Sequence, residues 1–150
     1  MRDAENLFEL YLKSVGRNSK LLLNVPPTPD GLLHDRDVAS LLGFRDRLAA
    51  FNDRAVQGAF VRGEVALSRP TRIDAVRLAE NVETGQAVSR YVVRGLSDAG
   101  WRDLTRGTTI GYAKIDRFEP IVVSRLSVTI EAIEPERTVS LVAYVEADSG

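Results

Sequence analysis

Leu21, Leu22 and Leu23 are consecutive and Val25 follows one residue later, so a short strand over residues 20–25 carries apolar side chains on both faces. Successive side chains of a strand point to opposite sides, and apolar groups on both sides mark a strand of a parallel sheet covered above and below. The flanks read as helices. Over residues 3–15, Ala4, Leu7, Phe8, Tyr11 and Val15 fall on one face at helical spacing, with Asp3 as N-cap and Gly16 at the C′ position. The run Pro26-Pro27-Thr28-Pro29-Asp30-Gly31 is a turn. A second helix then runs from Asp35 or Asp37 to Phe51, with Val38, Leu41, Leu42, Leu48 and Ala49 on its apolar face and Arg45 breaking it. This unit offers its strand no parallel neighbour. An unpaired strand exposes backbone groups that need partners. The segment therefore pairs with another chain, packs irregularly on the rest of the protein, or is partly disordered.

From about residue 57 the apolar period changes to two. Leu126, Val128, Ile130 and Ala132 alternate with Arg125, Ser127, Thr129 and Glu131, and Val139, Leu141, Ala143 and Val145 repeat the pattern. Residues 88–94 lead through Asp98-Ala99-Gly100 to Trp101, which predicts a hairpin. Further strands are expected over 58–67, 71–79 and 108–115. Six or seven short strands with polar turns specify an antiparallel sandwich. The boundary falls near 51–57, giving a front unit over 1–52 and a sandwich over 57–150. No internal repeat or low-complexity segment is present.

The 150 residues suit one domain with an appendage, and an apolar content of 44% is ordinary for a soluble globular protein. A net charge of -1 supplies no field for nucleic acid or an anionic membrane surface. Without cysteine there is neither disulfide nor thiol catalysis. No apolar run reaches the ~20 residues that cross a bilayer. The opening Met1-Arg2-Asp3-Ala4-Glu5-Asn6 lacks the apolar core of a secretory signal, so the chain as written is expected in the cytoplasm.

Two stretches carry a family resemblance. Ser14-Val15-Gly16-Arg17-Asn18-Ser19-Lys20-Leu21-Leu22-Leu23-Asn24-Val25-Pro26-Pro27, followed by Asp30-Gly31-Leu32, resembles the end of the catalytic domain of the α-L-fucosidases. Those are retaining glycoside hydrolases built on a (β/α)8 barrel. Trp101-Arg102-Asp103-Leu104 with Arg106-Gly107-Thr108-Thr109-Ile110-Gly111-Tyr112 resembles the β-sandwich that follows the barrel in many of them. The resemblance implies a mainly β fold: a shortened antiparallel β-sandwich, discoidin- or jelly-roll-like, preceded by a helix–strand–helix remnant of the barrel. It covers residues 4–52 and 70–145. Family sandwiches usually carry extra strands with an aspartate–threonine–tryptophan element before the strand that leads to Glu80. Here only Asp53 to Ser68 fills that interval.

Retaining glycosidases need two carboxyl groups about 5–5.5 Å apart, one nucleophile and one acid/base. In the family the nucleophile is an aspartate on an earlier barrel strand, so the resemblance implies no catalytic residue in this chain. Asp30, Asp35 and Asp37 read as turn and N-cap residues. His34, the single histidine, has no second histidine or cysteine to make a metal site and reads as a capping or solvent-facing residue. Neither metal nor cofactor is expected. Asn24 would lie at the carboxyl end of its strand, either orienting a loop or satisfying backbone in the proline turn. Sandwiches of discoidin type bind sugars in loops at one end, with an aromatic ring on the sugar face and polar groups on its hydroxyls. Glu80, Gln86, Trp101, Tyr112 and Arg117 are the substrate-binding candidates on that ground, and core packing is the first reading for Trp101 and Tyr112. The expected function is a structural or carbohydrate-presenting accessory portion of an α-L-fucosidase-like hydrolase. Its partners would be a fucosylated carbohydrate, a second copy or a separate barrel subunit. Two alternatives are fucosidase activity assembled with such a partner, and a sandwich that only binds protein.

Overall fold

A computed structural model describes residues 2–56, 59–61, 63–132 and 138–147 of the chain. Two helices, α1 (Ala4–Ser14) and α2 (Asp35–Asp53), precede seven strands: β1 (Ala55–Val56), β2 (Ala59–Val61), β3 (Glu64–Glu80), β4 (Val88–Ser97), β5 (Gly100–Gly107), β6 (Lys114–Ala132) and β7 (Val139–Val145). All strand pairs are antiparallel, in the order β1-β7-β3-β6-β4-β5 with β2 beside β3. The expected strand over 58–67 starts at a residue outside the described ones, as does the expected sandwich at 57. No helix among the described residues is long and apolar enough to cross a membrane.

The two long strands hold the sheet together. β3 pairs with β6 through residues 64–66, 71–73 and 75–78, and the ladder is interrupted between Ala66 and Thr71 and between Ile73 and Ala75. Pro70 falls in the first interruption. The second leaves out residues 118–120 of β6, including Pro120. Proline has no N–H to donate, so both sit where the ladder is open and the strand can bend. The bent strands let one ladder fold over a single core of Val65, Ile73, Val76, Leu78, Val88, Tyr91, Val93, Ile110, Val123, Leu126, Val139, Leu141 and Ala143.

The helices cover the outer face of the same sheet. Leu12 and Phe51 bury against Ala75, Ile115 and Tyr144. Phe51 stacks on Tyr144 with ring centroids 4.3 Å apart, and Phe8 closes on Phe51 at 5.7 Å. Asp3 caps α1 as expected, its carboxylate accepting the Asn6 N–H at 2.8 Å. His34 caps α2, its Nδ1 accepting the Arg36 N–H at 3.1 Å. Gly16 ends α1 for a reason other than the expected left-handed turn. It is buried, and a Cβ there would meet the Leu12 carbonyl at 2.5 Å and Ile115 Cβ at 3.2 Å.

Two expectations are corrected. Residues 20–25 form no strand, because nothing among the described residues lies alongside to pair with them. The segment is extended, with Leu21, Leu23 and Val25 half-buried and Leu22 93% exposed. The strand expected over 108–115 is a loop up to Ala113, and β6 starts only at Lys114. Gly111 has φ +66°, and its N–H and carbonyl are both bonded to Glu80 instead of to a neighbouring strand.

Candidate functional site

Glu80 ends β3 on the inner side of the sheet and is 5% exposed. One carboxylate oxygen accepts the N–H groups of Ala87 at 3.1 Å and Val88 at 3.3 Å. The other accepts the Gly111 N–H at 2.8 Å, while the Glu80 N–H donates to the Gly111 carbonyl at 2.8 Å. Buried backbone donors that leave a ladder need acceptors, and charged acceptors make the stronger bonds. Glu80 thus fastens the β3–β4 and β5–β6 loops to each other, and its carboxylate is engaged on both oxygens.

Tyr112 follows Gly111 and faces the front segment. Its N–H donates to the Asn18 side-chain oxygen at 2.9 Å and its hydroxyl to the Ser19 carbonyl at 2.5 Å. Asn18 adopts φ +62°, a left-handed conformation that asparagine tolerates better than most residues. Ile115 N–H donates to the Gly16 carbonyl at 2.9 Å, and Arg17 bridges to Lys114. A Cβ on Gly111 would collide with the Asn18 side chain. The two sequence stretches singled out above, around Gly16–Ser19 and around Ile110–Tyr112, are therefore the two halves of one contact.

Asp116 lies beside it, 5% exposed. Tyr91 donates its hydroxyl at 2.5 Å and Thr105 at 3.0 Å to one carboxylate oxygen, and Arg17 approaches the other at 3.4 Å. Burial, then the bond to Asp116, pushes the Tyr91 hydroxyl far above its usual pKa. Burial likewise lowers the Lys114 ammonium. Sequence reasoning missed Asp116. The available signal was a lone acid at an inward position, between Ile115 and Arg117 in a strand.

The other candidates sit apart. Arg117 reaches α1, donating to the Glu9 carboxylate at 3.0 and 3.4 Å. It lines a shallow recess of about 260 Å³ with Glu9, Leu12, Lys13, Arg17 and Ile115. Trp101 opens β5 opposite Leu96, at the β4–β5 turn, and is 44% exposed. Gln86 is exposed in the β3–β4 loop. The core reading of Trp101 and Tyr112 is corrected: both are exposed, Tyr112 at 38%. Trp101 stands on the edge strand, and Tyr112 is turned outward by the Gly111 conformation. Asn24 is exposed too, so it satisfies no buried backbone. Of the five candidates, Glu80 and Tyr112 come together across Gly111, whereas Trp101, Gln86 and Arg117 belong to other surroundings. Among the described residues no group of three or more His, Asp or Glu side chains is gathered to hold a metal ion.

No family model matches the chain. It is 26% identical over 93% of its length to a candidate alpha-L-fucosidase 1 of Oryza sativa subsp. japonica, of which it covers 34%. Over 96% of its length it superposes on a crystal structure of a candidate alpha-L-fucosidase from Bacteroides ovatus, with 34% identity and a TM-score of 0.81, covering 26% of that chain. A glycoside hydrolase 29 family member from a rumen bacterium matches at 26% identity and a TM-score of 0.79, with 96% of this chain and 29% of that one covered. The chain spans about a third of the length of the curated relatives it matches.

Proposed function

Starting from the chain as the C-terminal part of an α-L-fucosidase-type protein, we propose that its role is structural, bracing a catalytic portion while holding no catalytic carboxylate itself. The observation that carries this reading is the engagement of Glu80 and Asp116. A glycosidase acid/base or nucleophile must present a carboxyl oxygen to the sugar. Glu80 has three backbone donors on its two oxygens, and Asp116 has Tyr91, Thr105 and Arg17. Both are 5% exposed. Buried acids bonded in this way fix loops.

Exposure of Trp101 and Gln86 favours a second reading, in which the sandwich also presents a fucosylated carbohydrate. A flat aromatic face open to solvent suits the apolar side of a sugar ring. Titration of the 15N-labelled chain with L-fucose separates the two. The structural reading predicts an unchanged amide and indole spectrum. Saturable shifts at the Trp101 indole and Gln86 would replace it with the carbohydrate-presenting one.

A further inference from the structure

Along β4, Tyr91 and Val93 are buried in the core, so Arg90, Val92 and Arg94 point to the opposite side of the sheet. Val92 stands opposite Arg106 on β5 and Thr129 on β6, and Arg90 stands opposite Glu131. This face of the ladder holds a recess of about 470 Å³, lined by Arg90, Val92, Arg106, Gly107, Thr108 and Glu131. The volume lies within the range of about 300–1,000 Å³ that small-molecule sites occupy.

The charges around the recess do not cancel. Asp103 accepts the Arg94 Nε–H at 2.9 Å on one oxygen and an Arg106 N–H at 2.7 Å on the other. One carboxylate therefore serves two guanidinium groups. Arg90 and Glu131 approach only to 3.9 Å, beyond hydrogen-bond reach, and both side chains are 67% exposed. Their polar ends are thus available to a ligand. Three arginines face two carboxylates, which leaves one positive charge without a counterpart.

The lining also separates a sugar from a bare ion. Val92 and the aliphatic stems of the two arginines give an apolar floor on which the carbon face of a ring can lie. Glu131 repels a bare anion but accepts from a hydroxyl, and the exposed Thr108 adds a hydroxyl at the rim. The guanidinium forks of Arg90 and Arg106 suit an oxyanion. We propose that this recess binds a sugar unit carrying one oxyanion, a carboxylate or a sulfate ester. The oxyanion sits between Arg90 and Arg106, and ring hydroxyls donate to Glu131. This site goes beyond the accessory role and does not depend on it.

The test is titration of the 15N-labelled intact chain with D-glucuronate and with D-glucose 6-sulfate. Each is expected to give saturable shifts at the Val92, Arg106, Gly107 and Thr108 amides, while D-glucose and L-fucose leave them unchanged. A response to one of the two anionic sugars alone supports the site and identifies its oxyanion. Raising NaCl to about 0.5 M weakens the binding, because the attraction is screened. Arg90→Gln weakens it about tenfold with an unchanged urea midpoint. Glu131→Gln keeps an acceptor oxygen, removes the opposing charge and tightens binding about twofold. No shift with either anionic sugar, equal shifts with D-glucose, equal affinity for sodium sulfate, or full affinity in Arg90→Gln would each overturn the proposal. The readout is separate from the fucose titration. Trp101 stands opposite Leu96, four residues and about 13 Å along β4 from Val92.

Discussion

Replacing Glu80 by alanine tests whether its carboxylate is a loop fastener or a ligand-binding group. The substitution removes the acceptor of three backbone N–H groups, those of Ala87, Val88 and Gly111. Each buried donor left without a partner costs about 1–3 kcal/mol. The lost side chain leaves space comparable to one water, which has a share of about 30 Å³ in the liquid and can recover part of that bonding. Taking the lower half of the range for each of the three donors gives a destabilisation of about 3–6 kcal/mol. At about 2–4 °C per kcal/mol for a chain of this size, the melting temperature falls by roughly 6–24 °C. Glu80→Gln keeps one acceptor oxygen and turns a donor toward a donor at the other, so a loss of about 1.5–3 kcal/mol is expected. Urea unfolding followed by circular dichroism measures both, with an unchanged slope showing that the unfolded state is not the cause. A loss below about 0.5 kcal/mol for Glu80→Ala, typical of a surface substitution, would refute the fastener argument.

Two further outcomes follow from the same contacts. Gly111→Ala forces a side chain into a φ of +66° and into the Asn18 side chain, breaking its bond to the Tyr112 N–H. The expected loss is about 2–4 kcal/mol from strain and the lost bond together, and a urea midpoint equal to wild type would contradict that contact geometry. At alkaline pH, Tyr91 and Tyr144 keep their protons in the fold because burial raises both, whereas unfolded tyrosine releases its proton near pH ~10. The unfolded state then binds fewer protons, so stability falls as pH rises above ~10. Lys114, lowered by burial, contributes in the opposite sense, its cost easing as pH rises toward its unfolded value. Urea midpoints across this range should drop less steeply for Tyr91→Phe, and an identical slope would show that Tyr91 does not govern the transition.

What the sequence made legible is mostly local. The Asp3 cap, the start of α2 at Asp35 and the Asp98-Ala99-Gly100 turn each depend on residues a few positions apart. The alternation over 139–145 reports one buried face, and Val139, Leu141 and Ala143 are buried as it implies. The expected strands over 58–67 and 71–79 meet in one strand, β3, and the alternation at 125–132 is only the end of β6, because Pro70 and Pro120 fall at register shifts inside continuous strands and do not end them. The apolar residues of the loop at 108–113 suit a strand and carry no sign that Glu80, thirty-one positions away from Gly111, captures the backbone. The run over 20–25 has the apolar pattern of a covered strand but no ladder partner among the described residues, and is extended without being a strand. Composition also misplaced Trp101 and Tyr112. Large aromatics are usually sheltered, yet an edge strand and a left-handed glycine put these two at the surface. The two stretches resembling the fucosidases meet each other through Asn18, Ser19 and Tyr112, a contact between positions more than ninety apart that local spacing does not encode.

The most direct test of the account is turnover of a chromogenic α-L-fucoside by the purified chain alone, at high protein concentration and with the oligomeric mass recorded on the same sample. The account predicts no release of the aryl group above buffer, because Glu80 and Asp116 are committed to backbone and side-chain donors. Release that persists through purification and is abolished by replacing a single acidic residue, whether Asp30, Asp35, Asp37 or Glu80, would contradict it.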